Sequence, residues 1–124
     1  MNNFEFYNPV RVIFGAGSVK QISQETKKIG SNALLVTYSD HKFLDPLIER
    51  IEKSLSDEGI KLTKYFGVSV NPKMSEVEEG IKLSKKCGAE LLIGLGGGSA
   101  MDATKTIAAG TLYKGDLWNM VFSR

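Results

Sequence analysis

Leu91, Leu92, Ile93, Gly94 and Leu95 form an apolar run that breaks into Gly96, Gly97 and Gly98, then continues as Ser99, Ala100, Met101, Asp102, Ala103, Thr104 and Lys105. No other stretch restricts the possible folds so strongly. An apolar run of this length reads as a parallel strand covered on both faces. Three successive residues without a Cβ let the main chain bend sharply and come close to a neighbour or a ligand. Residues 100–109 are rich in good helix formers, and Ser99 suits the N-cap. A strand that turns directly into a helix gathers unpaired N–H groups and the positive end of the helix dipole, which together hold a phosphate without a cationic side chain. The diphosphate of a dinucleotide is the ligand this turn suggests. The same glycines would also serve a helix that simply packs tightly on its sheet. Asp102, in the first turns of that helix, is either a partner of the dipole or a residue facing whatever the glycines hold.

The rest of the chain repeats the strand-then-helix pattern. Val10, Arg11, Val12, Ile13 and Phe14 predict a strand, Gly15 to Ser18 a turn, and Val19, Ile22 and Ile29 a helix closed by Gly30. Residues 33–37 predict a second buried strand, ended by the polar group Tyr38, Ser39, Asp40 and His41. Leu44, Leu47, Ile48, Ile51 and Leu55 recur at helical spacing, and Asp45 before Pro46 suits a helix start, so a helix is expected over residues 43–58 with Gly59 after it. Residues 60–66 alternate as a third strand, and residues 67–73 form a loop in which Pro72 keeps Asn71 out of the helical region. Ser75 with Glu78 reads as a capping box for a helix through Val77, Ile81, Leu83 and Cys87 that stops at Gly88. Strands alternating with helices predict a doubly wound, parallel α/β sheet with right-handed crossovers.

Composition narrows the class. A chain of 124 residues with 42% hydrophobic content is one domain, residues 1–124, and cannot hold two complete ones. The net charge of +2 is spread through interleaved lysines and glutamates, with no basic stripe for nucleic acid. Cys87 is the only cysteine, which excludes an internal disulfide framework or thiolate metal cluster and suits a reducing, cytoplasmic setting. No run approaches the length of a membrane helix, and the start carries neither a basic region nor a long apolar one, so a soluble chain is expected.

Ligands of such sheets sit beyond the carboxyl ends of the strands. Three loops follow predicted strands and could meet there: residues 37–41, 67–72 and 96–99. Asn71 has the chemistry to hydrogen-bond a ribose or an adenine edge, and equally that of an Asx turn closing its own loop. Gly15, Ala16 and Gly17 offer half of a competing dinucleotide fingerprint, with Lys20 at the third glycine position. Asp40, roughly twenty residues further on, stands where that fingerprint places a ribose-binding carboxylate.

Residues 9–18, the pair Asn71 and Pro72, residues 96–105, and the group Gly115, Asp116, Leu117 and Trp118 together resemble the iron-containing (group III) alcohol dehydrogenases, in particular the butanol dehydrogenase-like branch. The resemblance runs in order along essentially the whole chain. It implies a nucleotide-binding N-terminal domain in which Gly97, Gly98 and Ser99 hold the cofactor diphosphate, Asn71 and Asp102 line the same site, and the turn at Gly15 to Gly17 is structural. It further implies interconversion of primary alcohols and aldehydes with NAD or NADP, Fe²⁺ or Zn²⁺ in a second, all-helical domain, and frequent homo-oligomers. A glycerol dehydrogenase-like or dehydroquinate synthase-like reaction on the same scaffold is the alternative, since cofactor residues alone do not separate these activities.

The chain departs from the family pattern twice. Many butanol dehydrogenase-like relatives have a glycine-rich loop after the second strand that receives the 2′-phosphate of NADP; here Ser39, Asp40, His41 and Lys42 stand instead. A carboxylate at Asp40 would repel that phosphate and accept from a free 2′-hydroxyl, favouring NAD, whereas His41 or Lys42 could receive the phosphate. The family's metal ligands, one aspartate and three histidines of the helical domain, are not found, since His41 is the single histidine. The chain is therefore expected to be an N-terminal fragment, without turnover by itself, or one half of a split enzyme, a stand-alone nucleotide-binding module, or a remnant. Leu112, Tyr113, Leu117, Trp118, Met120 and Val121 are expected to form the apolar surface for the missing domain, with Trp118 and Tyr113 alternatively sheltering the cofactor. His41 is expected to be an ordinary loop residue, Cys87 a small buried side chain, and Tyr65 with Phe66 core or edge packing.

Overall fold

The computed structural model describes residues 3–122, with side chains described through Met120. A single-turn 3₁₀ helix over Ser18–Gln21 runs into α1 (Ile22–Lys27), followed by β1 (Asn32–Tyr38). A second 3₁₀ turn (Lys42–Leu44) leads into α2 (Asp45–Asp57), then β2 (Lys61–Val68), α3 (Met74–Cys87), β3 (Leu91–Gly94), α4 (Gly98–Leu112) and α5 (Leu117–Phe122). The strands form one parallel sheet in the order β2-β1-β3.

The central strand explains the layering. Ala33, Leu34, Leu35, Val36 and Thr37 have no solvent exposure at all. Because side chains alternate along a strand, Leu34 and Val36 enter one core with Val77, Ala103, Ile107 and Leu117, while Ala33 and Leu35 enter another with Ile51, Leu55 and Ile60. Helices α3, α4 and α5 thus cover one face, and α1 with α2 the other. Each fully buried leucine or isoleucine contributes about 2 kcal/mol, so the five largest, Leu34, Leu35, Ile51, Leu55 and Ile107, dominate the stability. Where α3 meets α4, a Cβ at Gly80 would strike Ile107 and one at Gly110 would strike Ile81, so each helix yields a glycine to the other's isoleucine.

Several expectations move. Residues 10–14 form no strand: Val10, Val12 and Phe14 are 67%, 79% and 98% exposed. Their β-rich composition has no neighbouring strand to pair with, and strand formation depends on that neighbour more than on propensity. Helix α1 closes at Lys27, leaving Ile29 exposed. The helix expected from residue 43 begins at Asp45, because the preceding residues wind as 3₁₀. β2 runs on to Val68, past an irregularity in its pairing with β1 between Val36 and Tyr38. β3 lies at the edge of the described sheet, so Leu91, Leu92 and Ile93 are only half-buried. The capping box sits one half-turn earlier than Ser75 and Glu78: α3 starts at Met74, and the Lys73 N–H donates to the Glu76 carboxylate at 3.0 Å. Cys87 is half-buried, with its thiol 3.5 Å from the Ser84 carbonyl oxygen.

Candidate functional site

The carboxyl ends of all three strands open at one place, and the three expected loops meet there. Ser39 N–H donates to the Val68 carbonyl at 3.0 Å, joining the loop after β1 to the end of β2. The Ser99 hydroxyl donates to the Val70 carbonyl at 2.6 Å, joining the start of α4 to the loop after β2. Gly97 N–H donates to the Tyr38 hydroxyl oxygen at 3.1 Å, joining the glycine turn to the end of β1.

The loop after β2 is held chiefly by Glu76. Its carboxylate accepts from Lys73 N–H at 3.0 Å, Ser69 N–H at 3.2 Å and the Ser69 hydroxyl at 3.1 Å. Burial pushes the Glu76 carboxyl upward, but those hydrogen bonds and the nearby Lys73 charge outweigh it and hold the group below its ordinary value. Tyr65 braces the same region by donating its hydroxyl to the Glu76 carbonyl at 2.6 Å.

In the glycine turn, Gly96 alone has a positive φ, 138°, and a Cβ there would meet the Tyr38 ring at 2.6 Å and Ala100 Cβ at 2.9 Å. Gly97, not Ser99, is the N-cap of α4. Ser99 lies inside the first turn, and its hydroxyl is spent on Val70 rather than on a helix amide. The first helix amide to reach back is Met101, to Gly97 O at 3.0 Å, so among the described residues Gly98, Ser99 and Ala100 keep amides without a carbonyl partner. A Cβ at Gly98 would project into open space, meeting nothing within 4 Å. The turn therefore presents unpaired N–H groups, the positive end of a 15-residue helix and, at Gly98, open space where a side chain would stand, which are the requirements of an anion cradle.

Beside the cradle, Tyr38, Ser39, Asp40, Phe43, Val68, Ser69 and Val70 line a cavity of about 360 Å³ with mostly apolar walls. Ser39 and Asp40, singled out from the sequence, thus line a cavity tied to the glycine turn through two of its other walls, Tyr38 and Val70. His41 does not join them: its Nδ1 lies 2.7 Å from Asp45 Oδ1, and its ring stacks on Phe66 with centroids 3.9 Å apart. It is a loop residue, as expected, with a packed side chain. Asn71 is exposed and its amide makes no hydrogen bond among the described residues, so the Asx turn is not formed; its carbonyl instead accepts from the Ser69 hydroxyl at 2.8 Å. Asp102 is exposed, 4.0 Å from Lys105 Nζ, and lines a separate cavity of about 300 Å³ with Pro72, Lys73, Met74, Val77, Ala103 and Thr106. The loop over residues 67–73 contributes to both cavities.

Gly15 and Gly17 form a tight turn, with Ser18 N–H donating to Gly15 O at 3.2 Å, but no strand precedes it. The competing fingerprint lacks the sheet end it would need. Tyr38 is the residue that sequence reasoning missed; only its position at the end of a buried strand marked it, and a tyrosine there carries no motif. A roomier cavity, about 430 Å³, lies at the other end of α4 among Glu78, Ile81, Lys82, Tyr113, Leu117 and Trp118. It contains none of the cradle's groups. Of the apolar residues expected there, Leu117 is buried, Leu112 and Trp118 are exposed, and the Val121 side chain lies outside the described residues.

Comparison with known proteins agrees with this geometry. A profile of the family described as iron-containing alcohol dehydrogenase matches residues 9–124. The chain is 40% identical over 124 residues to a probable NADH-dependent butanol dehydrogenase 2 of Bacillus subtilis (strain 168), covering 100% of this chain and 32% of that protein. It is 36% identical over 121 residues to NADH-dependent butanol dehydrogenase A of Clostridium acetobutylicum, covering 98% of this chain and 31% of that protein. The crystal structure of NADH-dependent butanol dehydrogenase A from Thermotoga maritima superposes with a TM-score of 0.86 at 37% identity, over 96% of this chain and 30% of that one. The chain spans about a third of the length of the curated relatives it matches. With the parallel sheet, the glycine turn and the match over residues 9–124 in agreement, the chain belongs to the iron-containing alcohol dehydrogenase family.

Proposed function

We propose that residues 1–124 are the dinucleotide-binding domain of an NAD-dependent alcohol dehydrogenase of the butanol dehydrogenase type, which interconverts primary alcohols and aldehydes by hydride transfer. The observation that carries this reading is the turn at Gly97, Gly98 and Ser99, where unpaired amides gather at a helix N-terminus and open space lies beside Gly98. The dinucleotide fits these residues: its diphosphate is anionic, needs close backbone approach, and gains from a positive dipole end. When bound, the cofactor supplies the hydride chemistry. The chain's own part is to bind and orient it.

The adenosine half is assigned to the cavity of about 360 Å³, where Tyr38, Phe43, Val68 and Val70 offer apolar contact and Ser39 with Asp40 offer polar ends. Asp40 accepts from the ribose 2′-hydroxyl. NAD is favoured over NADP because a carboxylate at this mouth repels a 2′-phosphate and because His41, one of its two candidate cationic partners, is engaged with Asp45 and Phe66. Asn71, with a free amide at the rim of the same loop, is a ribose contact, and Asp102 lines the cofactor site on the side of the second cavity. The iron or zinc of the family does not fit the residues present: among the described residues no three His, Cys, Asp or Glu side chains converge. On this reading the chain alone binds the dinucleotide and does not turn over alcohol.

Titration with NADH, followed by nicotinamide fluorescence, tests the reading. Saturable 1:1 binding that ADP displaces, and that is tighter than NADPH binding, is expected. Absence of saturable binding, or binding that ADP does not displace, rejects the nucleotide domain; tighter NADPH binding rejects only the preference for NAD.

A further inference from the structure

We infer that the Tyr38 hydroxyl is a side-chain ligand of the dinucleotide's diphosphate, held in place by the Gly97 amide. Taking the cradle as a dinucleotide site, as proposed above, Tyr38 gives it a donor that the glycine motif does not contain. Its position follows from the sheet. Tyr38 is the last residue of β1, just past the point where the pairing with β2 slips by one residue, and such irregularities re-aim the side chains beside them. The ring lies under the glycine turn, against Gly96, and the hydroxyl reaches within 3.4 Å of where a Gly97 Cβ would be.

The hydrogen-bond inventory of the phenol then matters. Its oxygen accepts from Gly97 N–H at 3.1 Å. Its own O–H proton has no acceptor among the described residues. A phenol is both donor and acceptor, so accepting from Gly97 leaves the proton to be given away. The unsatisfied groups of the turn, the Gly98, Ser99 and Ala100 amides, are themselves donors, so an anion entering beside Gly98 meets donors with no acceptor among them. Accepting from Gly97 also polarises the phenol as a donor, since linked hydrogen bonds strengthen one another. Tyr38 further lines the cavity that contains Asp40, at the junction between the adenosine cavity and the cradle. One side chain thus orders the turn before binding and contacts the diphosphate after it.

Tyr38→Phe keeps the ring and its packing against Gly96 while removing only the hydroxyl. Calorimetric titration of wild type and Y38F with inorganic pyrophosphate, ADP and adenosine separates the roles. The hydroxyl donates to a charged acceptor, so Y38F is expected to weaken pyrophosphate and ADP about tenfold or more and adenosine less than about twofold. Equal weakening of adenosine and ADP would show that Tyr38 acts only as a cavity wall, and unchanged ADP binding would show that its proton goes elsewhere; either overturns the assignment while leaving the dinucleotide site intact. If wild type binds none of the three, the dinucleotide reading itself fails. Should Y38F not fold, fluorine NMR of 3-fluorotyrosine-labelled wild type reads the native side chain: pyrophosphate should shift one tyrosine resonance, and no shift at saturation overturns the assignment.

Discussion

The Ser99 hydroxyl donates to the Val70 carbonyl at 2.6 Å, bridging 29 residues of sequence between the first turn of α4 and the loop after β2. This bond makes the cradle and the wall of the neighbouring cavity one unit. Ser99→Ala removes it without touching the core and is expected to cost about 1 kcal/mol in urea denaturation. Hydrogen exchange should quicken over residues 69–73, and unchanged exchange there would show that Glu76 alone holds the loop.

The three glycines of the turn are not equivalent, and two substitutions separate them. Gly96→Ala forces a side chain into a left-handed backbone against Tyr38 and Ala100, so a loss of about 2–4 kcal/mol in thermal or urea unfolding is expected. Gly98→Ala meets nothing and should leave stability within about 0.5 kcal/mol. Its methyl group stands where the diphosphate would lie, and ADP affinity should fall at least roughly tenfold. A G98A protein that binds ADP as wild type does would place the diphosphate elsewhere.

Asp40 is exposed at the mouth of the cavity beside β1. Asp40→Ala removes the carboxylate proposed to repel a 2′-phosphate and to accept from a 2′-hydroxyl. The ratio of NADPH to NADH affinity should rise by about tenfold, measured by fluorescence titration. An unchanged ratio would take Asp40 out of cofactor discrimination.

Burial, helped by the charges of Glu79 and Glu76, pushes the Tyr65 phenol from 10.0 up to about 12. The neutral form is therefore favoured in the fold. The stability it contributes is complete below about pH 10 and is lost as pH rises through about 12. Tyrosinate absorbance should show one step near pH 12 that is missing from Tyr65→Phe. Between those limits Y65F should lose stability less steeply than wild type, though at neutral pH it should be weaker by about 1 kcal/mol for want of the bond to the Glu76 carbonyl.

Glu76, whose carboxyl is held below its ordinary 4.5, contributes to the acid limb, beside Glu25, which the Lys28 hydrogen bond also holds down. A depressed carboxyl contributes stability above the unfolded value, and that contribution disappears as pH falls through the folded one. Glu76→Gln should flatten the fall of stability on acidification, measured by denaturation at successive pH values. A slope equal to that of wild type would exclude Glu76 as a source.

Much of this was readable from residue order. The apolar run at residues 33–37, the helical spacing from Leu44 to Leu55 and the stop at Gly88 each match their elements, because burial on both faces of a strand or on one face of a helix leaves a periodic trace. The strand expected at residues 10–14 left the same trace and does not form, since a strand needs a partner that local sequence does not name. Ser99 fails as a cap for a related reason. Its hydroxyl could accept from a helix amide or donate to a distant carbonyl, and only the approach of Val70 decided between them. Tyr38 carried no motif at all.

Sequence by itself determined that strands alternate with helices, that a glycine turn opens α4, and that the chain resembles one dehydrogenase family, because periodicity, missing Cβ atoms and motif order are local properties. Only the tertiary structure decided which amides stay unpaired, that Tyr38 lies beneath the turn, and that Asp40 lines a cavity with Tyr38 while His41 does not. Those are relations between segments far apart in the chain, and packing around the central strand is what brings them together.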